Sequence, residues 1–404
     1  MLYAAYQWQS DLLAPFRGAA DRARAMLKPL GDMPGFAGLA HMGAAWEMFT
    51  RAALTHHRPH FGINRITVGN QVTEVTEDVV VATPYCTLLH FRKAVDMPQP
   101  RILVVAPLSG HFATLLRGTI RTLLPEHDVY VTDWHNARDV PLDAGPFGFD
   151  DNVAAIIDFM EAVGPGAHMM AVCQPCVAAL AAVAVMAEDK NPAQPRSLTL
   201  MAGPVDTRIN PTKVNDLARE KSITWFETNL ISTVPNCHKG AGRRVYPGFV
   251  QLTAFMSMNS ARHAKAHRDL YRHTVNGEAE KAATIKRFYD EYFAVLDLPA
   301  EFFLETVARV FQDAQLATGE LHYRGRRVNP GAIRKTALLT VEGEHDDICA
   351  PGQTVAAHDL CTGLKPYMKR HHLQVGVGHY GVFSGRRWEK QIYPVVRNLM
   401  LSMD

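Results

Sequence analysis

Apolar and polar positions divide the chain into four zones. Residues 1–60 carry apolar side chains at helical spacing, from Gln7-Trp8 to Leu30 and from Gly38 to Leu54, broken at Pro29, Gly31 and Pro34. That pattern predicts an N-terminal helical extension. From Ile63 to about Arg92 the chain includes ITVGNQVTEVTEDVVVATPYCTLLHF, rich in Val and Thr with rough alternation, which predicts two or three antiparallel strands. Apolar runs then alternate with helical segments. The expected strands are Ile102–Pro107, Asp128–Trp134, His168–Val172 and Ser197–Gly203. The expected helices between them include His111–Leu124 and Asp150–Val163. After Pro204 about 130 residues show helical periodicity and many aromatics, among them Trp225, Phe255, Phe288 and Tyr292. The alternation resumes at Lys335 with the strand TALLTVEG, a helix from Gly352, a strand His372–Gly378 and a last helix near Gly385 to Met400. Such β-α-β-α order predicts an α/β protein with a mostly parallel central sheet and helices on both faces. An insertion of that size between two strands reads as a helical lid. The expected division is a 1–60 extension, a core of 61–203 and 334–404, and a lid of 204–333.

The rest is organised around His168–Glu188, HMMAVCQPCVAALAAVAVMAE. A buried strand runs through a tight turn into an alanine-rich helix, the setting in which α/β-hydrolases hold a nucleophile. Three residues fall just after strand ends, where α/β sheets place their sites. They are Cys173, Asp346 and His379, and nucleophile, acid, histidine is the α/β-hydrolase order. Cys176 and Asp347 are the competing positions. Small flanks two residues either side of the nucleophile favour Cys173, with Ala171 and Pro175, over Cys176, with Gln174 and Ala178. Pro175 also suits the first turn of a helix, where its missing N–H is not needed. A helix N-terminus and an imidazolium neighbour make a thiol more acidic. His379 would accept the Cys173 proton, and Asp346 would hold the ring in one tautomer. The oxyanion donors would be the backbone N–H of Gln174 and that of Leu108 or Ser109. Ser109, His111 and Trp134 are candidate pocket residues, with a helix cap, a surface position and the core as their plain alternatives. Asp133 could cap the following segment.

Charge and cysteine content narrow the class. The 42 basic and 40 acidic residues give a formal charge of +2, which argues against nucleic acid as a partner. No run of about 18 apolar residues occurs, so no membrane span is expected. The N-terminal stretch has no basic segment ahead of an apolar one, so no secretory signal is expected either. Six cysteines in so long a chain form no disulfide framework, and a reducing cytoplasm is the simplest compartment. The cluster His56-His57-Arg58-Pro59-His60 lacks ligand spacing and reads as a surface turn, so neither a metal nor a cofactor is expected. Cys173-Gln174-Pro175-Cys176 could be read as a redox pair, but that leaves Asp346 and His379 idle. A disulfide between these two cysteines could switch activity off.

The chain resembles the intracellular poly(3-hydroxybutyrate) depolymerases. The resemblance covers nearly the whole length, and VCQPCVAALAAVAVMAE, VTDWHNARDVP, TVEGEHDDICAPGQT and VGVGHYGVFSGRRW carry it. It implies a cysteine nucleophile in place of serine and a triad of Cys173, Asp346 and His379. It implies hydrolysis of short-chain 3-hydroxyalkanoate esters in the amorphous polymer by a granule-associated cytoplasmic enzyme. The partners would be polymer granules and oligomers, and self-association is left open. The related polyester synthases share the strand-Cys-helix element, but Ala171, Pro175 and Cys176 replace the glycines of their Gly-x-Cys-x-Gly-Gly pattern. The alternatives are thiolysis of the polyester by coenzyme A, synthase-like acyl transfer, and a non-catalytic granule coat. A neutral polyester calls for apolar contacts, and Phe255, Met256 and Met258 lie in the aromatic-rich insertion.

Overall fold

The computed structural model describes residues 2–31, 37–51, 53–95, 97–258 and 260–403. The expected break at Pro34 and the side chain of Met258 lie outside them. The Val- and Thr-rich stretch forms three antiparallel strands, β1 (Arg65–Val68), β2 (Gln71–Ala82) and β3 (Cys86–Lys93). The apolar runs become β4 (Arg101–Val105), β5 (Asp128–Trp134), β6 (His168–Val172) and β7 (Ser197–Met201). Every residue of β6 and β7 is buried, as in a parallel strand covered on both faces. Between them run α3 (Arg117–Leu123), α4 (Phe149–Val163) and α5 (Cys176–Glu188), which follow two N-terminal helices, α1 (Leu2–Gly31) and α2 (Ala37–Arg51).

The insertion holds α6 (Lys213–Glu220), α7 (Ile223–Leu230), β8 (Ser232–Thr233), β9 (Arg244–Tyr246), α8 (Gly248–Met258), α9 (Ser260–Val275), α10 (Ala279–Tyr292), β10 (Leu298–Pro299) and α11 (Ala300–Thr306). It ends with the hairpin β11 (His322–Tyr323) and β12 (Arg326–Arg327). It is therefore not purely helical: β8, β9 and β10 form a small antiparallel sheet of strands too short to leave a period. The core resumes with β13 (Ala337–Gly343) and β14 (Lys369–Gln374). The large sheet has the order β1-β2-β3-β5-β4-β6-β7-β13-β14, with β5 through β14 parallel and β1 to β3 antiparallel at one edge. This is the α/β-hydrolase fold.

Several boundaries differ from the sequence reading. The last strand lies over Lys369–Gln374 rather than His372–Gly378, because an edge strand need not be apolar and KRHHLQ is mostly solvent-facing. The helix expected from Gly352 is a single turn at Ala357–Leu360. Upstream of it, the Glu342 carboxylate takes the N–H groups of Gly352, Thr354 and Val355 at 2.9, 2.7 and 2.9 Å and folds the segment into turns. The helix expected from His111 starts as a 3-10 turn at Ala113. His56 is not on a surface turn: it is buried against the Tyr6 hydroxyl at 2.9 Å, and burial followed by the Arg138 charge lowers its pKa to about 3.

Candidate active site

The β6–α5 turn places Cys173 at φ +65°, a left-handed conformation that strains any residue with a Cβ. The strain is locked in on both sides. Cys173 N–H donates to Met201 O at 2.8 Å, and Cys176 N–H donates to Cys173 O at 3.2 Å. Pro175 caps α5, where its missing N–H leaves no acceptor unserved. From Cys176 to Met186 every residue of α5 is buried, so the turn rests on a helix that cannot shift without disturbing the core. Cys173 is partly exposed at the top of this element.

Cys176, by contrast, is fully buried, and its thiol lies 3.4 Å from Ala171 O. Burial, then the neighbouring Cys173, pushes its pKa well up. Its side chain occupies the space that residue 203 leaves empty. A Cβ on Gly203 would fall 2.2 Å from Cys176 Sγ and 3.0 Å from Cys173 O. All six cysteines, Cys173 and Cys176 included, are free thiols.

His379 and Asp346 come from the loops after β14 and β13, and both are buried. His379 Nδ1 lies 2.7 Å from Asp346 Oδ2, and the ring also hydrogen-bonds to Cys173. The other carboxylate oxygen, Oδ1, accepts the N–H groups of Ile348 at 2.9 Å and Cys349 at 2.8 Å. Asp347 is exposed. The two loops are stitched together: His345 N–H donates to Val377 O at 2.9 Å, Glu344 N–H to Gln374 O at 3.0 Å, and Gly376 N–H to Glu344 Oε2 at 2.8 Å. Burial disfavours the charged form of His379. Electrostatic interaction with Cys173 and Asp346, and the hydrogen bonds to them, outweigh it and hold the His379 pKa well above the usual imidazole range.

The loop after β4 faces this group. Leu108 N–H donates to the side-chain Oε1 of Gln174 at 3.3 Å, while Gln174 Nε2 is buried with no partner among the described residues. Ser109 O accepts from Gln251 Nε2 of α8. Gly110 is required here: its φ is +91°, and a Cβ would sit 2.6 Å from the Gln251 side chain. Leu296 N–H donates to Gly110 O at 3.0 Å, and His111 bridges Val295. His111 is thus a buried strut and not a surface residue. Its Nε2 meets Tyr292 O at 3.2 Å, its ring stacks on Tyr292, and burial lowers its pKa to about 4.

Trp134 lies in the core, its indole N–H donating 2.8 Å to Ala106 O, so it steadies the strand that carries the Leu108 loop. Asp133 caps nothing: it pairs with Arg58 at 2.5 Å, and burial, partly offset by Arg58, raises its pKa to about 6. One tyrosine was not singled out in the sequence reading. Tyr380 stands edge-on to His379 and hydrogen-bonds to Tyr292 of α10, bringing the insertion to the rim of the site. Its only sequence signal is adjacency to His379. Among the described residues no three His, Cys, Asp or Glu side chains are placed to hold a metal ion.

Residues 202–404, just over half of the chain, match the family described as PHB de-polymerase C-terminus. The chain belongs to this PHB depolymerase family. Ester-bond hydrolysis is the activity that goes with the family. No curated protein matches the chain. Among solved structures, the chain is similar to a putative lipase from Acinetobacter baumannii AYE, at 12% identity and TM-score 0.46, over 81% of this chain and 93% of that one. It is also similar to the enol-lactonase from Burkholderia xenovorans LB400, at 14% identity and TM-score 0.41, over 84% and 99%. A thermophilic esterase from Thermogutta terrifontis shows 12% identity and TM-score 0.41 over 81% and 99%.

Proposed function

We propose that this chain hydrolyses the ester bonds of amorphous poly(3-hydroxybutyrate) through a Cys173-His379-Asp346 triad, at the surface of cytoplasmic polyester granules. The observation that carries the reading is the His379 ring, bonded to Asp346 at 2.7 Å on Nδ1 and to Cys173 on its other side. A high imidazole pKa favours a thiolate-imidazolium pair, the form in which cysteine attacks. The thiolate adds to an ester carbonyl, and the oxyanion is received by the N–H groups of Gln174 and Leu108. The Gln174 side chain must first leave Leu108. His379 then protonates the departing alkoxide, and a 3-hydroxyacyl thioester remains on Cys173. Water, deprotonated by His379, opens the thioester, releases the acid and restores the thiolate. Residues 204–333 act as a lid, a role supported by the contacts of Gln251, Tyr292 and Leu296 with the two loops of the site.

Turbidity loss of native amorphous granules tests this. Wild type clears them, Cys173→Ala lowers the rate by about 10⁴-fold or more, and Cys176→Ala retains the chemistry. Activity in Cys173→Ala with loss in Cys176→Ala would refute the assignment. Adding coenzyme A separates water from thiol as the acceptor: the reading requires free acid and no acyl-CoA.

A further inference from the structure

The 30-residue α1 has two apolar faces. One faces the body. Tyr3 is buried with its hydroxyl donating to Asp297 Oδ2 at 2.5 Å, and Tyr6 stacks on Phe249 at 3.9 Å. On the opposite face Ala5, Trp8, Leu12, Phe16, Ala19 and Met26 follow one another at steps of three, four or seven residues, and all are exposed. Trp8, Leu12, Phe16 and Met26 are 69%, 51%, 63% and 75% exposed. Four large apolar side chains in one line do not arise from scattered surface residues.

We propose that this outer stripe of α1 is the surface by which the enzyme docks on the amorphous polyester. The inference rests on the proposed function and extends it to a binding surface separate from the triad. Three observations choose the occupant. First, no charged residue falls on the stripe itself: the acids Asp11 and Asp21 and the bases Arg17, Arg22, Arg24 and Lys28 of α1 occupy its other positions. A neutral apolar line matches a neutral polyester, whereas a helix lying in a lipid surface carries basic residues on its polar face. Here the face opposite the stripe is folded onto the protein through Tyr3 and Tyr6. Second, the stripe from Ala5 to Met26 is about 33 Å long and about 10 Å wide, a footprint of roughly 350 Å². That is the size of a functional apolar patch and less than half of the roughly 800 Å² per partner that a stable dimer needs. Third, the inner face is continuous with the site. Asp297, which holds Tyr3, also accepts Gly248 N–H at the start of α8, and α8 carries Gln251 to Ser109. A polymer held on α1 is thereby held on the element that frames the candidate oxyanion loop.

The test is the full-length variant Trp8→Ser/Leu12→Ser/Phe16→Ser. Cosedimentation with amorphous granules should weaken by at least about tenfold, and granule clearance should fall with it. Turnover of p-nitrophenyl butyrate and the thermal midpoint should stay at wild-type values. If the triple variant does not fold, Phe16→Ser alone should lower granule binding about threefold. Unchanged granule binding overturns the proposal. So does a wild-type dimer that the triple variant converts to monomer with granule binding intact, which would make a second copy the occupant. Binding to neutral phosphatidylcholine vesicles as tight as to granules overturns it in favour of a lipid surface. A wild type that binds granules but does not clear them refutes the depolymerase reading and leaves the docking surface standing.

Discussion

The strand-end loops and the insertion hold the site in opposite ways. In the two loops that carry Asp346 and His379, polar atoms find partners within a few residues or across adjacent turns. Asp346 takes the N–H groups of Ile348 and Cys349, and the His379 loop is sewn to the Asp346 loop by backbone bonds. In the insertion the struts reach far along the chain, and their buried atoms are incompletely served. Gln251 spans to Ser109, and its Oε1 is buried with no partner among the described residues. Local bonding gives a rigid frame around Asp346 and His379. Long-range, unsaturated bonding gives a part that can exchange partners when an ester arrives. The difference separates the loops of the candidate triad from the insertion.

That contrast can be broken at either side. The largest effect should come from Asp346→Asn, which keeps the size of the side chain but favours the wrong tautomer of His379. We expect kcat on p-nitrophenyl butyrate to fall by about 10⁴-fold, while Asp347→Asn stays near wild type. Equal effects from the two would mean that the frame is not held by Asp346. Next comes Gln251→Leu, which frees the Ser109 carbonyl without opening a void. Loop misplacement should lower kcat about 10- to 100-fold with little change in KM and no change in thermal midpoint. A rise in KM alone would make Gln251 a substrate contact.

The smallest effect is expected from Asp297→Asn, read as stability against pH. Burial, opposed by the hydrogen bonds from Tyr3 and Gly248, raises the Asp297 pKa from an ordinary 3.8 to about 6. A folded-state pKa above the unfolded one means that its contribution is full below about pH 3.8 and is lost as pH rises through about 6. The buried charge therefore weighs against the fold at neutral pH by at most about 3 kcal/mol. Asparagine can still meet both Tyr3 and Gly248. Its thermal midpoint should gain on wild type as pH goes from 4 to 7, and parallel profiles would refute the assignment.

The frame was legible in sequence for the same reason that it is rigid. Cys173, Asp346 and His379 each follow a strand within a few residues, and their small flanks and turn formers are adjacent in the chain. The parallel sheet was legible because β4, β6, β7 and β13 are buried on both faces. The links from the insertion were not. Gln251 and Ser109 are far apart in sequence, as are Tyr3 and Asp297, and no periodicity announces either pair. His111 and Trp134 were visible as candidates, but only burial shows that one is a strut to Tyr292 and the other a brace on Ala106. β14 was misplaced because an edge strand lacks the apolar run that marks an interior one.

The contact between Cys176 and Gly203 means that the Cys173 turn is specified from two places. A methylene and a sulfur at 176 fill the room that residue 203 gives up, so the two positions can be exchanged only together. Glycine at 176 alone would hollow out the base of the turn, and alanine at 203 alone would collide with it. Transplanting residues 171–176 into another hydrolase would therefore not carry the turn along unless the end of the neighbouring strand travelled with it.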